Sequence, residues 1–196
     1  MEAILVKDQK AAAFVMEDGT FEGVYRITEK VCGDVEQVTG VRPKIIKWQG
    51  ALQPAQVYVA TLGNSEMSEA IAEEEGIELS SLCGKRECFL FQVLKNGSLL
   101  IAGSDKRGTI YGLFHISELM GVSPFVHFAD VVPAPQKEII FSEKDSMQSK
   151  EPSVKYRGFF INDEWPAFGN WTFSHYGGFT AEMYDLIFET LLRLKG

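Results

Sequence analysis

Val154-Lys-Tyr-Arg-Gly-Phe-Phe-Ile161 runs straight into Asn162-Asp163-Glu164. A largely apolar run that ends in polar groups is the profile of a strand presenting side chains at its C-terminal end. A stretch rich in aromatic residues follows. Then comes an amphipathic helix capped at Thr180, with Met183, Ile187, Leu191 and Leu194 on one face as core. Strand, connection and helix in that order are the repeating unit of an α/β barrel, whose catalytic groups sit at the C-terminal ends of the strands. One unit cannot close a barrel. The chain is therefore expected to be a complete small domain joined to the first piece of a larger catalytic one.

Alternation along 154–161 puts Lys155, Arg157, Phe159 and Ile161 on one side, and Val154, Tyr156, Gly158 and Phe160 on the other. Arg157 precedes Asp163 by six residues, ~20 Å at strand rise, which places it near the bottom of a barrel strand and favours a structural ion pair over substrate contact. Asn162, Asp163 and Glu164 stand where the strand opens, either as functional groups or as caps of the loop and helix. From Trp165 to Phe179 the chain carries Trp165, Phe168, Trp171, Phe173, His175, Tyr176 and Phe179. Read as a loop, this is longer than usual βα connections, and such loops are often functional. Faces of this kind suit stacking on sugar rings; the plainer reading is a hydrophobic lid on the neighbouring domain.

Upstream, the pattern predicts strands at Ala11–Met16, Lys44–Trp48 and Gln56–Leu62, with a helix from Phe21 to Val38 between the first two, stopped by Gly40. Ser65 caps a second helix that runs into Glu73-Glu74-Glu75, expected to be a solvated helix end, before Gly76. Strands at Phe89–Lys95 and Ser98–Gly103 flank Asn96-Gly97, a strong hairpin signal. A helix from Lys106 to Met120 and a closing strand at Ile139–Phe141 complete the order βαββαββαβ. The polar, charged stretch that follows has the composition of a linker. The division is thus an α+β domain at 1–142 with helices on a mixed sheet, a linker at 143–153, and the truncated start of a barrel at 154–196.

Hydrophobic content of 45% is ordinary for a globular chain, and a net charge of −8 without a Lys/Arg cluster argues against nucleic acid. No apolar run approaches the ~20 residues of a membrane-spanning helix. The N-terminus lacks the basic and apolar regions of a signal peptide, so a cytoplasmic location is expected. Cys32, Cys83 and Cys88 make a poor disulfide framework. The Cys83–Cys88 spacing occurs in zinc sites but lacks a second ligand pair, so neither metal nor cofactor is expected. Gly103-Ser-Asp-Lys-Arg-Gly-Thr-Ile-Tyr-Gly112 has the setting of a phosphate loop without its Gly-Lys-Ser/Thr. Close helix–sheet approach at Gly108 and Gly112 explains it better.

Two stretches together resemble glycoside hydrolase family 115, the xylan α-1,2-glucuronidases. One is Asp105-Lys-Arg-Gly-Thr-Ile-Tyr-Gly-Leu113 leading to Ser117-Glu-Leu-Met-Gly-Val-Ser-Pro124 and Ala129-Asp-Val131; the other is Glu151-Pro-Ser-Val-Lys-Tyr-Arg-Gly-Phe-Phe-Ile-Asn-Asp-Glu164 with Pro166-Ala167, Gly177-Gly-Phe179 and Leu191-Leu-Arg-Leu-Lys-Gly196. The resemblance implies an N-terminal α+β domain like the one preceding the barrel in β-hexosaminidases, then a (β/α)₈ catalytic barrel and further domains. It implies inverting release of glucuronic or 4-O-methyl-glucuronic acid from glucuronoxylan, with the acid and base ~6.5–9.5 Å apart. Asn162, Asp163, Glu164 and Trp165 are carried over as substrate-binding residues. The acid and base are expected on later strands beyond residue 196, so this piece alone would be inactive. Phe125-Val-His-Phe128 replaces the family's tryptophan- and tyrosine-rich stretch, and Trp165 replaces a small residue, which bears on substrate preference. The rival readings are a family 67 α-glucuronidase or hexosaminidase-like barrel, or a non-catalytic carbohydrate-binding module. Phe188, Leu191 and Leu194, without barrel strands to cover them, would be exposed or covered by a second copy in a homo-oligomer.

Overall fold

The computed structural model describes residues 1–162 and 164–196. Among them a six-stranded mixed sheet forms the centre, in the order β4-β3-β5-β7-β6-β9. Its strands are β3 (Phe14–Met16), β4 (Ile45–Lys47), β5 (Val57–Thr61), β6 (Phe89–Val93), β7 (Leu99–Gly103) and β9 (Met147–Gln148). β3 runs parallel to β4 and β5, and β5 parallel to β7, while β6 is antiparallel to both β7 and β9. A second, antiparallel sheet joins β1 (Glu2–Lys7) to β2 (Lys10–Ala11) and β8 (Ile139–Ser142). The expected α+β layer with a mixed sheet is present. The N-terminal strand is a correction: β1 was not expected, because its partner β8 lies at the far end of the sequence.

The central strands are apolar throughout because both of their faces are covered. Along β5, Val57 and Val59 face α1 (Glu22–Thr39) and α3 (Lys106–Leu119), whereas Tyr58 and Ala60 face α2 (Glu66–Glu75). β7 divides the same way, Leu99 and Ile101 against Leu100 and Ala102. Val24, Ile27, Val31, Val35 and Val38 of α1 recur at steps of three and four and are buried, so helical period and core face coincide. Gly40 ends α1 with φ of 77°, a conformation favourable chiefly to glycine. In α3, an added Cβ at Gly108 would collide with the Cys88 carbonyl, and one at Gly112 would meet the Ile101 side chain at 2.7 Å. The glycine pattern of 103–112 is thus a helix laid closely on a sheet.

Four local expectations are corrected. Glu75 is buried rather than solvated, its carboxylate accepting from the Lys95 main-chain N–H at 2.8 Å and so closing the hairpin turn. The segment 143–153 contributes β9 and two serines that finish the sheet edge. Ser146 Oγ accepts from the Val93 N–H at 3.0 Å, and Ser149 Oγ from the Phe89 N–H at 2.8 Å. Serines read as linker composition are here the partners of edge-strand donors. Residues 154–161 form no strand; a strand requires a neighbouring ladder, and neither sheet reaches them. The aromatic stretch is not a loop but holds α4 (Ala167–Tyr176), followed by α5 (Ala181–Arg193). Phe168, Trp171 and His175 are spaced three and four apart, and the rings of Trp171 and His175 stack at 4.8 Å. Helical spacing was present in the sequence and was outweighed by the density of large rings.

Candidate functional site

Asn162 and Glu164 are both exposed, and Asp163 lies outside the described residues. The Glu164 carbonyl accepts from the Gly169 N–H at 3.3 Å, which ties the segment to the first turn of α4. Trp165 is 58% exposed and lies across Gly169, where a Cβ would meet its indole at 2.7 Å; its ring is 5.2 Å from that of Phe173. Phe168, Trp171, Tyr176 and Phe179 continue the ring cluster, and Phe128 joins it 5.7 Å from Trp171. Asn162, Glu164 and Trp165 therefore stand together at the entrance to an aromatic helix. Beneath them an apolar cleft of about 240 Å³ is lined by Phe125, Phe128, Phe159, Ile161, Phe168 and Ile187, among others. Such a surface offers ring faces and exposed polar groups to a ligand. No group of three or more His, Cys, Asp or Glu suited to a metal ion occurs among the described residues. Cys83 is exposed and Cys88 buried, so their spacing does not make a common site.

Two polar assemblies hold this region to the central domain. The first is buried. Arg193 of α5 forks onto Asp34 of α1, Nη1 to Oδ2 at 2.7 Å and Nη2 to Oδ1 at 2.9 Å, while the Ser117 hydroxyl of α3 donates to Oδ2 at 2.6 Å. Arg193 Nε also donates to Glu189 Oε1 at 2.9 Å, His127 Nε2 lies 2.9 Å from the same oxygen, and Lys30 Nζ donates to Oε2 at 2.7 Å. The guanidinium sits 4.6 Å over the Phe114 ring. Burial alone would push the Glu189 carboxyl up, but hydrogen bonds from His127 and Lys30 and the charge of Arg193 overcome it and bring it down to about 2.

The second assembly surrounds the N-terminal turn of α3. Asp105 caps that helix, Oδ1 accepting from the Gly108 N–H at 2.8 Å, and its Oδ2 accepts from the Glu87 N–H at 2.9 Å. Arg107 and Tyr111 converge on the main-chain oxygen of Gly196, at 2.5 and 3.0 Å. Arg157 pairs with Glu87 at 2.6 Å and donates twice to the Lys195 carbonyl, at 3.0 and 2.8 Å. The structural ion pair expected of Arg157 is therefore formed.

The chain resembles a solved structure over nearly its whole length. Against a family GH115 4-O-methyl-α-glucuronidase, BtGH115A, described as having specificity for decorated arabinogalactans, it has 30% identity and a TM-score of 0.81, covering 99% of this chain and 25% of that one. The glycosyl hydrolase family 115 model matches residues 149–196. This chain belongs to glycosyl hydrolase family 115. A second structure, CpGH84D, aligns over 72% of this chain and 21% of its own at 10% identity, with a TM-score of 0.45. A search of curated proteins returns no match. As a family 115 member, the chain spans a quarter of the length of BtGH115A.

Within this family 115 chain the motif Asp105 to Gly112 acquires a physical explanation: cap, ion-pair donor, hydroxyl anchor and two close-approach glycines in about two helical turns. Sequence reasoning passed over Glu87, Asp34, Glu189 and Arg193. Glu189 and Arg193 were findable, since glutamate and arginine four apart on a helix face each other. Asp34 and Glu87 were not, because their partners lie 159 and 70 residues away.

Proposed function

We propose that this chain is the N-terminal portion of an inverting glycoside hydrolase that removes glucuronic or 4-O-methyl-glucuronic acid from xylan, and that the 196 residues alone hydrolyse nothing. The observation that carries the reading is the bond from Arg157 to the Lys195 carbonyl. It ties the beginning of 154–161 to the end of α5, as the bottom of a βα unit requires; barrel sites open at the opposite end of such a unit, which is where the proposal puts the strand-end residues. A barrel start at 154–196, following an α+β unit that extends through β9, belongs to the same proposal. So does pairing of 154–161 with barrel strands, which would cover the exposed rings of Tyr156 and Phe160.

Asn162, Asp163 and Glu164 contact the sugar or orient groups that do, and Trp165 with the α4 rings supplies a stacking face. Inversion needs two carboxyl groups on opposite sides of the bond, and one βα unit cannot place both. In the full-length enzyme, Asp163→Ala should lower the turnover of glucuronoxylan, read as release of methyl-glucuronic acid. Near-normal release by a folded Asp163→Ala protein would show that the strand-end residues are structural. A second substrate is favoured by the specificity stated for BtGH115A: glucuronic acid on decorated arabinogalactan. Side-by-side assays on the two polymers decide between them.

A further inference from the structure

Arg157 is the last described side chain before Asn162 that hydrogen-bonds to the rest of the chain; beyond it, Phe159 and Ile161 line the apolar cleft. Its guanidinium spans two elements, the Glu87 carboxylate on the central domain and the Lys195 carbonyl at the end of α5. Glu87 is itself unusual. Its φ of 55° lies in the left-handed region, uncommon for a residue with a long side chain, and the Asp105 carboxylate holds its N–H there. The Glu87 side chain is only 12% exposed, and its second oxygen stands 3.4 Å from Arg107. A left-handed backbone position, a helix cap and two arginines thus converge on Glu87, where Arg157 is anchored.

We propose that Arg157, held by Glu87, is a positioning residue that sets where the polar groups at 162–165 stand, so that the α+β domain tunes the geometry of the sugar site. This rests on the reading that those residues face the sugar. The guanidinium fork reaches two acceptors on different elements at once, which an ammonium on a flexible stem does not reproduce. Displacing reacting groups by ~1 Å can lower turnover on the order of 100-fold, so a loosened clasp is expected to lower it about 10-fold.

The test uses the full-length enzyme with Arg157→Lys, Glu87→Gln and the double variant, on whichever of the two polymers the wild type turns over. Support would be kcat lowered about 10-fold, KM within about twofold, melting temperature close to wild type, and a double variant no worse than the poorer single. If Arg157→Lys does not fold, Glu87→Gln, which keeps the side-chain shape, decides alone. Unchanged kcat in both, with Asp163→Ala inactive, would overturn the positioning role and leave the site reading standing. Normal turnover by Asp163→Ala would remove the site reading and the positioning role with it. A wild type that releases no glucuronic acid from either polymer overturns both.

Discussion

Every residue of β5 and β7 is buried, whereas Tyr156 and Phe160 are 85% and 90% exposed and Phe188 is 57% exposed. The charged groups show the reverse. Most ion pairs within the first 148 residues are at the surface, such as Arg42 with Glu29 and Glu36, while Arg193–Asp34, which ties α5 to α1, and Arg193–Glu189 within α5 are buried. Residues up to Gln148 cohere mainly through apolar burial, which is non-directional. Residues from Ser149 onward are held to them in good part by directed, charge-assisted hydrogen bonds. The first region is complete by its own burial. The second is fixed in orientation while its large apolar side chains still lack cover.

The sharpest way to break that contrast is Arg193→Ala, which leaves Asp34 and Glu189 buried without their shared cation. A loss of about 3–5 kcal/mol in urea unfolding is expected, as for other broken buried pairs. A loss near that of a surface pair would show α5 to be held by apolar contact instead. Gly108→Ala probes the first region, because the new methyl group would press into the Cys88 carbonyl beneath α3. A loss of about 1–3 kcal/mol is expected from such overpacking, measured in the same way.

Acid sharpens the comparison next. Glu189 is held down to about 2 from the ordinary carboxylate value of 4.5, so its contribution is complete above pH 4.5 and is lost as pH falls toward 2. Melting temperature should decline through that window, and Glu189→Gln should show a shallower decline because the substituted amide does not titrate. The smallest effect is reserved for Phe160→Ser, which removes a ring already in solvent. Stability should change by no more than ~0.5 kcal/mol. Self-association in light scattering should fall if exposed rings drive copies together. Phe188 and Leu194 are exposed as expected, at 57% and 44%, while Leu191 is partly buried against Gly196.

Local signals were sufficient for most helices and for the hairpin. The caps at Ser65 and Thr180, the Asn96-Gly97 turn and the stop at Gly40 each act within a few residues, and the structure places helices and hairpin accordingly. The family resemblance was likewise legible, because the motif Asp105 to Gly112 and the stretch from Glu151 are contiguous in sequence. Long-range pairing was not. β1 joins β8 across the sequence, and a strand signal such as 154–161 yields a ladder only where another edge meets it. Patterning alone thus determined the class of the fold and the helices that build it, since period and capping are properties of neighbouring residues. Only the tertiary structure decided that Ser146 and Ser149 close a sheet edge, that α4 carries the aromatic cluster, and that Asp34, Glu87, Arg157 and Arg193 join the two regions. Those outcomes depend on which distant groups come within hydrogen-bonding range of one another, and that is settled by packing.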